Sequence, residues 1–149
     1  MTALQQALAP LAAVVREASA VHCKPARLEL SCGDIAVDDA FAERLRCALA
    51  HLVRQAVCER LEDAAGRRRA KKVSPGTCLV KATRGPDALT IVLIDDGAGT
   101  PPDPARARPF VEALRGTIEI DVIESMGSRL SLRFPAAAAS SAPAASSAA

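Results

Sequence analysis

Four apolar residues, Ile91-Val92-Leu93-Ile94, run directly into Asp95-Asp96-Gly97-Ala98-Gly99. The apolar run predicts a strand, and the acidic pair ends it. Two glycines at alternate positions then leave the backbone bare, so a flat ligand could approach it closely. A carboxylate at a strand end beside bare backbone describes a binding site. The same residues also describe an ordinary hairpin turn, so the surrounding segments must decide.

The 149 residues suffice for one domain with its own core. Half are apolar, yet there is no Trp or Tyr and only three Phe. The core must therefore be aliphatic. A net charge of +2 is too small to mark a nucleic-acid binder, and the missing aromatics remove stacking platforms for single strands. No apolar run approaches the ~20 residues of a membrane span, and no basic-then-apolar leader opens the chain. A cytoplasmic protein with neither nucleic-acid nor membrane partners is expected. The five cysteines, Cys23, Cys32, Cys47, Cys58 and Cys78, form no Cys-x-x-Cys pair, and the two histidines add no ligand spacing. No metal site is expected, and most thiols should be small, reduced core residues.

Helical spacing of Leu4, Leu8, Leu11, Val14, Val15 and Ala18 predicts one helix to about Ala20. Arg27 to Leu30 alternates as a short strand. Asp38 and Asp39 sit where a cap would open a long helix, Ala40 to Leu61, with Leu45, Ala48, Leu49, Leu52, Val53, Ala56 and Val57 on its buried side. Asp63 to Gly76, carrying Arg67-Arg68-Arg69 and Lys71-Lys72, reads as a solvated loop or, in a sharper reading, as an anion- or partner-binding edge. Thr77 to Thr83 and Leu89 to Ile94 form a hairpin. A proline-rich extended loop and a short helix near Phe110 follow, then a second hairpin, Thr117 to Ile123 with Ser128 to Phe134. This order predicts an α+β two-layer sandwich: a mixed, mainly antiparallel sheet with helices on one face. The domain should span residues 1–135, and the Ala/Ser/Pro tail, 136–149, should be disordered.

Several of these segments resemble one family. Ala50-His51-Leu52-Val53-Arg54-Gln55-Ala56-Val57-Cys58-Glu59 is similar to the first nucleotide-binding motif of the chemotaxis-type histidine kinases, where His-Leu-Val-Arg-Asn leads into Asp-His-Gly. Asp95-Asp96-Gly97-Ala98-Gly99 resembles the second motif, Asp-x-Gly-x-Gly. Leu114 to Ile120 and Gly127 to Pro135 resemble the closing hairpin. The likeness runs from about residue 4 to 135 in the family's order. It implies the ATP-binding sandwich of the superfamily that histidine kinases share with gyrase-type ATPases and Hsp90 (the GHKL fold).

The resemblance also implies roles. Asp95, with Gly97 and Gly99, would form the adenine half of a nucleotide pocket. His51 would match a histidine near the terminal phosphate and is the one catalytic candidate. Gln55 stands where the family's Asn chelates Mg²⁺, an ion that demands near-ideal octahedral geometry at about 2.1 Å. Its extra methylene displaces the amide oxygen. Cys58, Glu59 and Arg60 replace the Asp-His-Gly, with Arg60 where the glycine would be. His51, Gln55, Cys58 and Glu62 should share one helix face. Asp96 should be a solvated turn residue. Only ten residues separate Gly99 from Phe110, and no glycine occurs from Thr100 to Leu114, so the family's phosphate-gripping lid is missing. Phosphoryl transfer rests almost wholly on positioning and electrostatics, and most of those contributions are lost here.

The implied function is a degenerate, non-catalytic domain that binds a protein partner of histidine-kinase or response-regulator type in bacterial two-component or chemosensory signalling. No cofactor is expected beyond weak ATP or ADP binding. One alternative is a nucleotide-binding kinase or ATPase acting on a protein in trans. A weaker one is a histidine phosphotransferase, although the sequence shows no dimerisation helices and His22 sits at a helix end.

Overall fold

A computed structural model describes residues 1–140. Strand β1 (Thr2–Ala3) pairs antiparallel with β3 (Ala36–Val37) and leads into helix α1 (Leu4–Leu8). Helix α2 (Leu11–His22) follows at once. One helix was expected here, and Pro10 splits it: its ring lacks an N–H and clashes with the carbonyl one turn back. The apolar stripe nonetheless continues, with Leu4, Leu8, Leu11, Val15 and Ala18 all buried.

Strand β2 (Ala26–Ser31) leads by way of β3 to the long helix α3 (Asp39–Gln55). The Asp38 carboxylate caps α3 by accepting a hydrogen bond from the Ala40 N–H at 3.1 Å. The expected end at Leu61 is wrong in form. The α-helix stops at Gln55, and Ala56–Arg60 make a wider π-turn, closed by Leu61 N–H to the Ala56 carbonyl at 2.9 Å. Single π-turns at helix ends often accompany functional sites.

The segment 63–76, expected as a solvated loop, contains helix α4 (Ala64–Arg69), capped by the Asp63 carboxylate on Gly66 N–H at 2.7 Å. Two hairpins follow: β4 (Gly76–Arg84) with β5 (Ala88–Asp95), and β6 (Thr117–Ile123) with β7 (Gly127–Pro135), with helix α5 (Arg108–Ala113) between them. Helix α6 (Ala136–Ala139) corrects the start of the expected disordered tail. Ala138 and Ala139 are buried, and the Ala139 carbonyl accepts from Asp38 N–H at 2.8 Å. The rest of that tail lies outside the described residues.

The main sheet has the order β2-β4-β5-β7-β6. Only the β2–β4 pair is parallel, so the sheet is mixed and mainly antiparallel, as expected. Period-two alternation turns Val80, Leu93, Leu130 and Leu132 toward the helices, where they meet Leu45, Leu49, Leu52 and Val53. The aliphatic core carries one aromatic contact, Phe41 edge-on to Phe134 at 5.1 Å. One in-register row across the helix-facing side reads Leu28, Cys78, Asp95, Ser128, Val122. That row places the carboxylate of Asp95 under the π-turn. No helix among the described residues is long and apolar enough to cross a membrane.

Candidate functional site

Asp95 ends β5 facing the helices and is 2 % exposed. An isolated buried carboxylate is costly, and here both oxygens are partnered. Oδ2 accepts from Arg60 Nε at 3.0 Å and from the Ser128 hydroxyl. Oδ1 accepts from the Gly97 N–H at 3.0 Å. Arg60 is itself 3 % exposed. It arrives on the π-turn, and its Nη1 donates to Gln55 Oε1 at 2.9 Å. One guanidinium thus joins the position that the resemblance assigns to adenine with the position it assigns to the metal.

Gln55 is occupied on its other side too. Its Oε1 accepts from Asp103 N–H, and its Nε2 donates to the Asp103 carbonyl, both at 2.9 Å. This two-point amide clamp holds the proline-rich segment 100–107 against α3. The longer Gln side chain suits that reach across the gap.

Gly97 and Gly99 are bare for a reason internal to the chain. A Cβ on Gly97 would lie 2.4 Å from the Arg60 carbonyl oxygen. A Cβ on Gly99 would lie 2.5 Å from the Ile123 carbonyl oxygen. Between them, Ala98 N–H donates to the Arg60 carbonyl and the Ala98 carbonyl accepts from Ser125 N–H, both at 3.0 Å. The glycine turn is therefore sandwiched between the π-turn and the β6–β7 turn.

Asp96, expected as a solvated turn residue, is a structural ligand. It accepts from Arg67 Nη2 at 2.8 Å and from Thr77 N–H at 2.9 Å. Arg67 is 1 % exposed and also donates to the Val73 carbonyl and to Glu62. Lys72 Nζ reaches Glu62 and the carbonyls of Asp96 and Gly97. The basic segment was expected to be solvated, but two of its cations fasten the acidic turn. Glu62 consequently leaves the predicted face with His51, Gln55 and Cys58.

His51, Gln55 and Cys58 do share one open cleft of about 320 Å³, together with Arg54, Glu59 and Arg106. The His51 ring leans on Phe110, centroids 5.8 Å apart. The structure thus separates the candidates: Asp95 is held by the Arg60 guanidinium and Gly97 packs against the Arg60 carbonyl, whereas His51 lines the cleft. No cluster of three or more His, Cys, Asp or Glu positioned for a metal occurs among the described residues. The residues missed by sequence reasoning are Arg60, Ser128, Asp103 and Arg67. Arg60 carried a signal, since it extends the apolar stripe of α3 beyond Ala56 and Val57, where a cation needs a buried anion.

Cysteine chemistry follows burial. Cys32 and Cys78 are buried, Cys23 is exposed, and Cys47 and Cys58 lie between, so fewer thiols sit in the core than expected. Burial, then the neighbouring Asp95 carboxylate, pushes the Cys78 thiol up to about 12 from its ordinary 9.0, with Arg60 opposing. Burial raises Cys32 and Cys58 as well. A raised native pKa stabilises the fold fully below the unfolded value. That contribution is lost as pH rises from about 9 toward 12. Urea midpoints should therefore fall across that window, less steeply in Cys78→Ala. At pH 8 an alkylating reagent should label Cys23 in the native protein and spare Cys78.

No family model matches the chain, and no curated protein does. Solved structures do. The Acinetobacter baumannii histidine kinase AdeS superposes with a TM-score of 0.67 at 13 % identity, over 90 % of this chain and 65 % of that one. The histidine kinase domain of the Erythrobacter litoralis EL346 blue-light activated histidine kinase gives 0.63 at 14 %, over 87 % and 60 %. The mycobacterial sensor histidine kinase MprB gives 0.61 at 12 %, over 90 % and 95 %. The chain thus spans less than two thirds of the first two structures. The fold is the histidine-kinase ATPase sandwich.

Proposed function

We propose that this domain is a histidine-kinase-type ATPase fold with a self-filled nucleotide pocket. It acts as a non-catalytic, protein-binding regulator in bacterial two-component or chemosensory signalling. Its partner is a histidine kinase or response regulator, met in the cytoplasm. The observation that carries this reading is the buried Arg60 guanidinium, bonded to both Asp95 and Gln55. An adenine amino group would need the carboxylate oxygen that Arg60 and Ser128 already hold. A Mg²⁺ ion would need the amide oxygen that Arg60 and Asp103 already hold. A charge-assisted internal bond competes at no translational cost, so a ligand must first extract a buried cation.

The test is thermal unfolding with ATP or ADP at millimolar concentration, with and without Mg²⁺. A ligand at a hundred times its dissociation constant adds about 2.7 kcal/mol, which is several degrees for a chain of this size. No shift is expected, and a clear shift with Mg-ATP would overturn the proposal. The second reading, a nucleotide-dependent enzyme acting in trans, draws on the open His51 cleft with Arg54 and Arg106 in its wall. It predicts ATP turnover that His51→Ala abolishes. The weaker phosphotransferase reading predicts phosphorylation by a kinase that His22→Ala or His51→Ala removes.

A further inference from the structure

The two edges of the main sheet are finished differently. At β2 the Gln5 side chain of α1 takes up edge groups: its Nε2 donates to the Leu30 carbonyl at 3.3 Å, and its Oε1 accepts from the Cys32 N–H at 2.9 Å. The outward side chains Arg27 and Glu29 on that strand pair with each other at 2.9 Å. The other edge, β6, has no such finish. Among the described residues, no backbone group of residues 117–122 has a hydrogen-bond partner beyond the β6–β7 ladder. In an antiparallel pair every second residue of an edge strand turns its N–H and C=O outward, so β6 presents a row of unused donors and acceptors. It also lacks the devices that blunt an edge. It is seven residues long, it holds no Pro or Lys, and its pairing with β7 runs without a bulge.

Period-two alternation sorts its side chains into two rows. Ile118, Ile120 and Val122 stand on the helix-facing side, opposite Leu132, Leu130 and Ser128. Ile120 and Val122 are still 36 % and 42 % exposed, since no strand lies beyond them. Glu119 and Asp121 stand on the outer face, and neither forms an ion pair among the described residues. Arg129 and Arg133 share that face but lie on β7, one strand spacing of about 4.8 Å inward, so an added strand would meet the carboxylates first. No basic residue occurs from 117 to 128.

These carboxylates argue against a second copy of the chain as the added strand. Antiparallel self-pairing about Glu119, Ile120 or Asp121 sets carboxylate against carboxylate, which destabilises a strand pair. A shift by one residue sets each carboxylate against Ile or Val and reverses the faces. A strand that alternates apolar with basic residues meets neither obstacle. We infer that the free edge of β6 docks a protein partner, which adds an extended segment to the sheet with apolar side chains beside Ile120 and Val122 and basic ones beside Glu119 and Asp121. Main-chain hydrogen bonds supply the affinity in this mode, and the alternate side chains supply the specificity. The inference rests on the protein-binding reading above and locates its contact face on the sheet edge.

The probe is a peptide the length of β6 that alternates Lys and Val, titrated into the full chain while backbone amides are followed by NMR. Saturable shifts and slowed amide exchange are expected along β6. The same peptide N-methylated at alternate residues should not bind, because its main chain can no longer donate. Affinity should fall about tenfold in Glu119→Gln/Asp121→Asn, which loses two cross-strand charge pairs while keeping the side-chain shapes. A peptide alternating Glu and Val should bind the wild type more weakly still. Val122→Lys, which points a charge from the edge toward the helix side, should weaken the Lys/Val peptide as well. Absence of saturable shifts, shifts centred away from β6, equal affinity for the Lys and Glu peptides, or undiminished binding of the N-methylated peptide overturns the inference. So does a dimer of the free chain that Val122→Lys abolishes, since the edge would then belong to a second copy. The ATP titration is a separate readout. Peptide binding beside ATP binding would keep the edge and remove the self-filled pocket. An inert pocket beside no peptide binding would do the reverse.

Discussion

Arg60→Ala is expected to lower the unfolding free energy by about 3–5 kcal/mol, the usual cost of stranding one partner of a buried ion pair. The substitution removes a guanidinium that is 3 % exposed and leaves the Asp95 carboxylate, 2 % exposed, with only Ser128 and the Gly97 N–H as donors. It also frees Gln55 Oε1 from one of its two donors. Urea unfolding of both proteins measures the difference. A loss below about 1 kcal/mol would mean that water or a neighbouring cation reaches Asp95 easily, and that Arg60 is a peripheral contact.

A double-mutant cycle isolates the pair from the surrounding packing. Arg60→Met keeps the apolar volume, and Asp95→Asn keeps an acceptor for Ser128 or Gly97. Contacting residues in one network couple by about 0.5–3 kcal/mol, and this pair should sit near the top of that range. The same Arg60→Ala protein tests the plug. Its vacated volume lies directly on the carboxylate, so adenosine should raise the midpoint of the variant while leaving the wild type unmoved. A variant indifferent to adenosine would make Arg60 a structural staple with no bearing on nucleotide exclusion.

Why Arg60 escaped the sequence reading is instructive. The apolar stripe of α3 was legible from Leu45 to Val57, and its next inward position is Arg60. The family resemblance shows only that Arg60 stands where the motif has a glycine. What it could not supply was the direction of the side chain, which depends on the π-turn at Ala56–Arg60. A π-turn has no simple composition signature, since it is fixed by what packs around the helix end. Asp95 is on the far side of that packing, 35 residues away in sequence.

The sheet, by contrast, was readable almost strand for strand. Period-two alternation and turn residues are local, so Thr117 to Ile123 emerged with its observed bounds. The charged segment misled for the opposite reason. Arg67, Arg68 and Arg69 are identical in type, and only the tertiary placement of Asp96 makes Arg67 a buried ligand while its two neighbours stay exposed. Pro10 was likewise visible in the sequence, yet the continuous apolar stripe hid the break that it makes.

Gly99→Ala is expected to be the second large loss, and the result is informative because no nucleotide is present. Gly99 has φ +81°, a conformation that costs a residue with a side chain about 1–2 kcal/mol. Its added methyl would meet the Ile123 carbonyl oxygen at 2.5 Å and Glu124 Cα at 2.8 Å, both backbone atoms that cannot rotate away. Overpacking of this kind costs about 1–3 kcal/mol more. Gly97→Ala meets the Arg60 carbonyl at 2.4 Å without the positive φ, so it should lose the overpacking part alone. If these glycines served only to admit a ligand, both variants would unfold like the wild type in ligand-free buffer. Losses in the predicted order would show instead that the Asp-x-Gly-x-Gly turn persists because three backbone segments meet there. The motif would then survive in this chain as a joint between the π-turn and the β6–β7 hairpin, whatever its nucleotide chemistry.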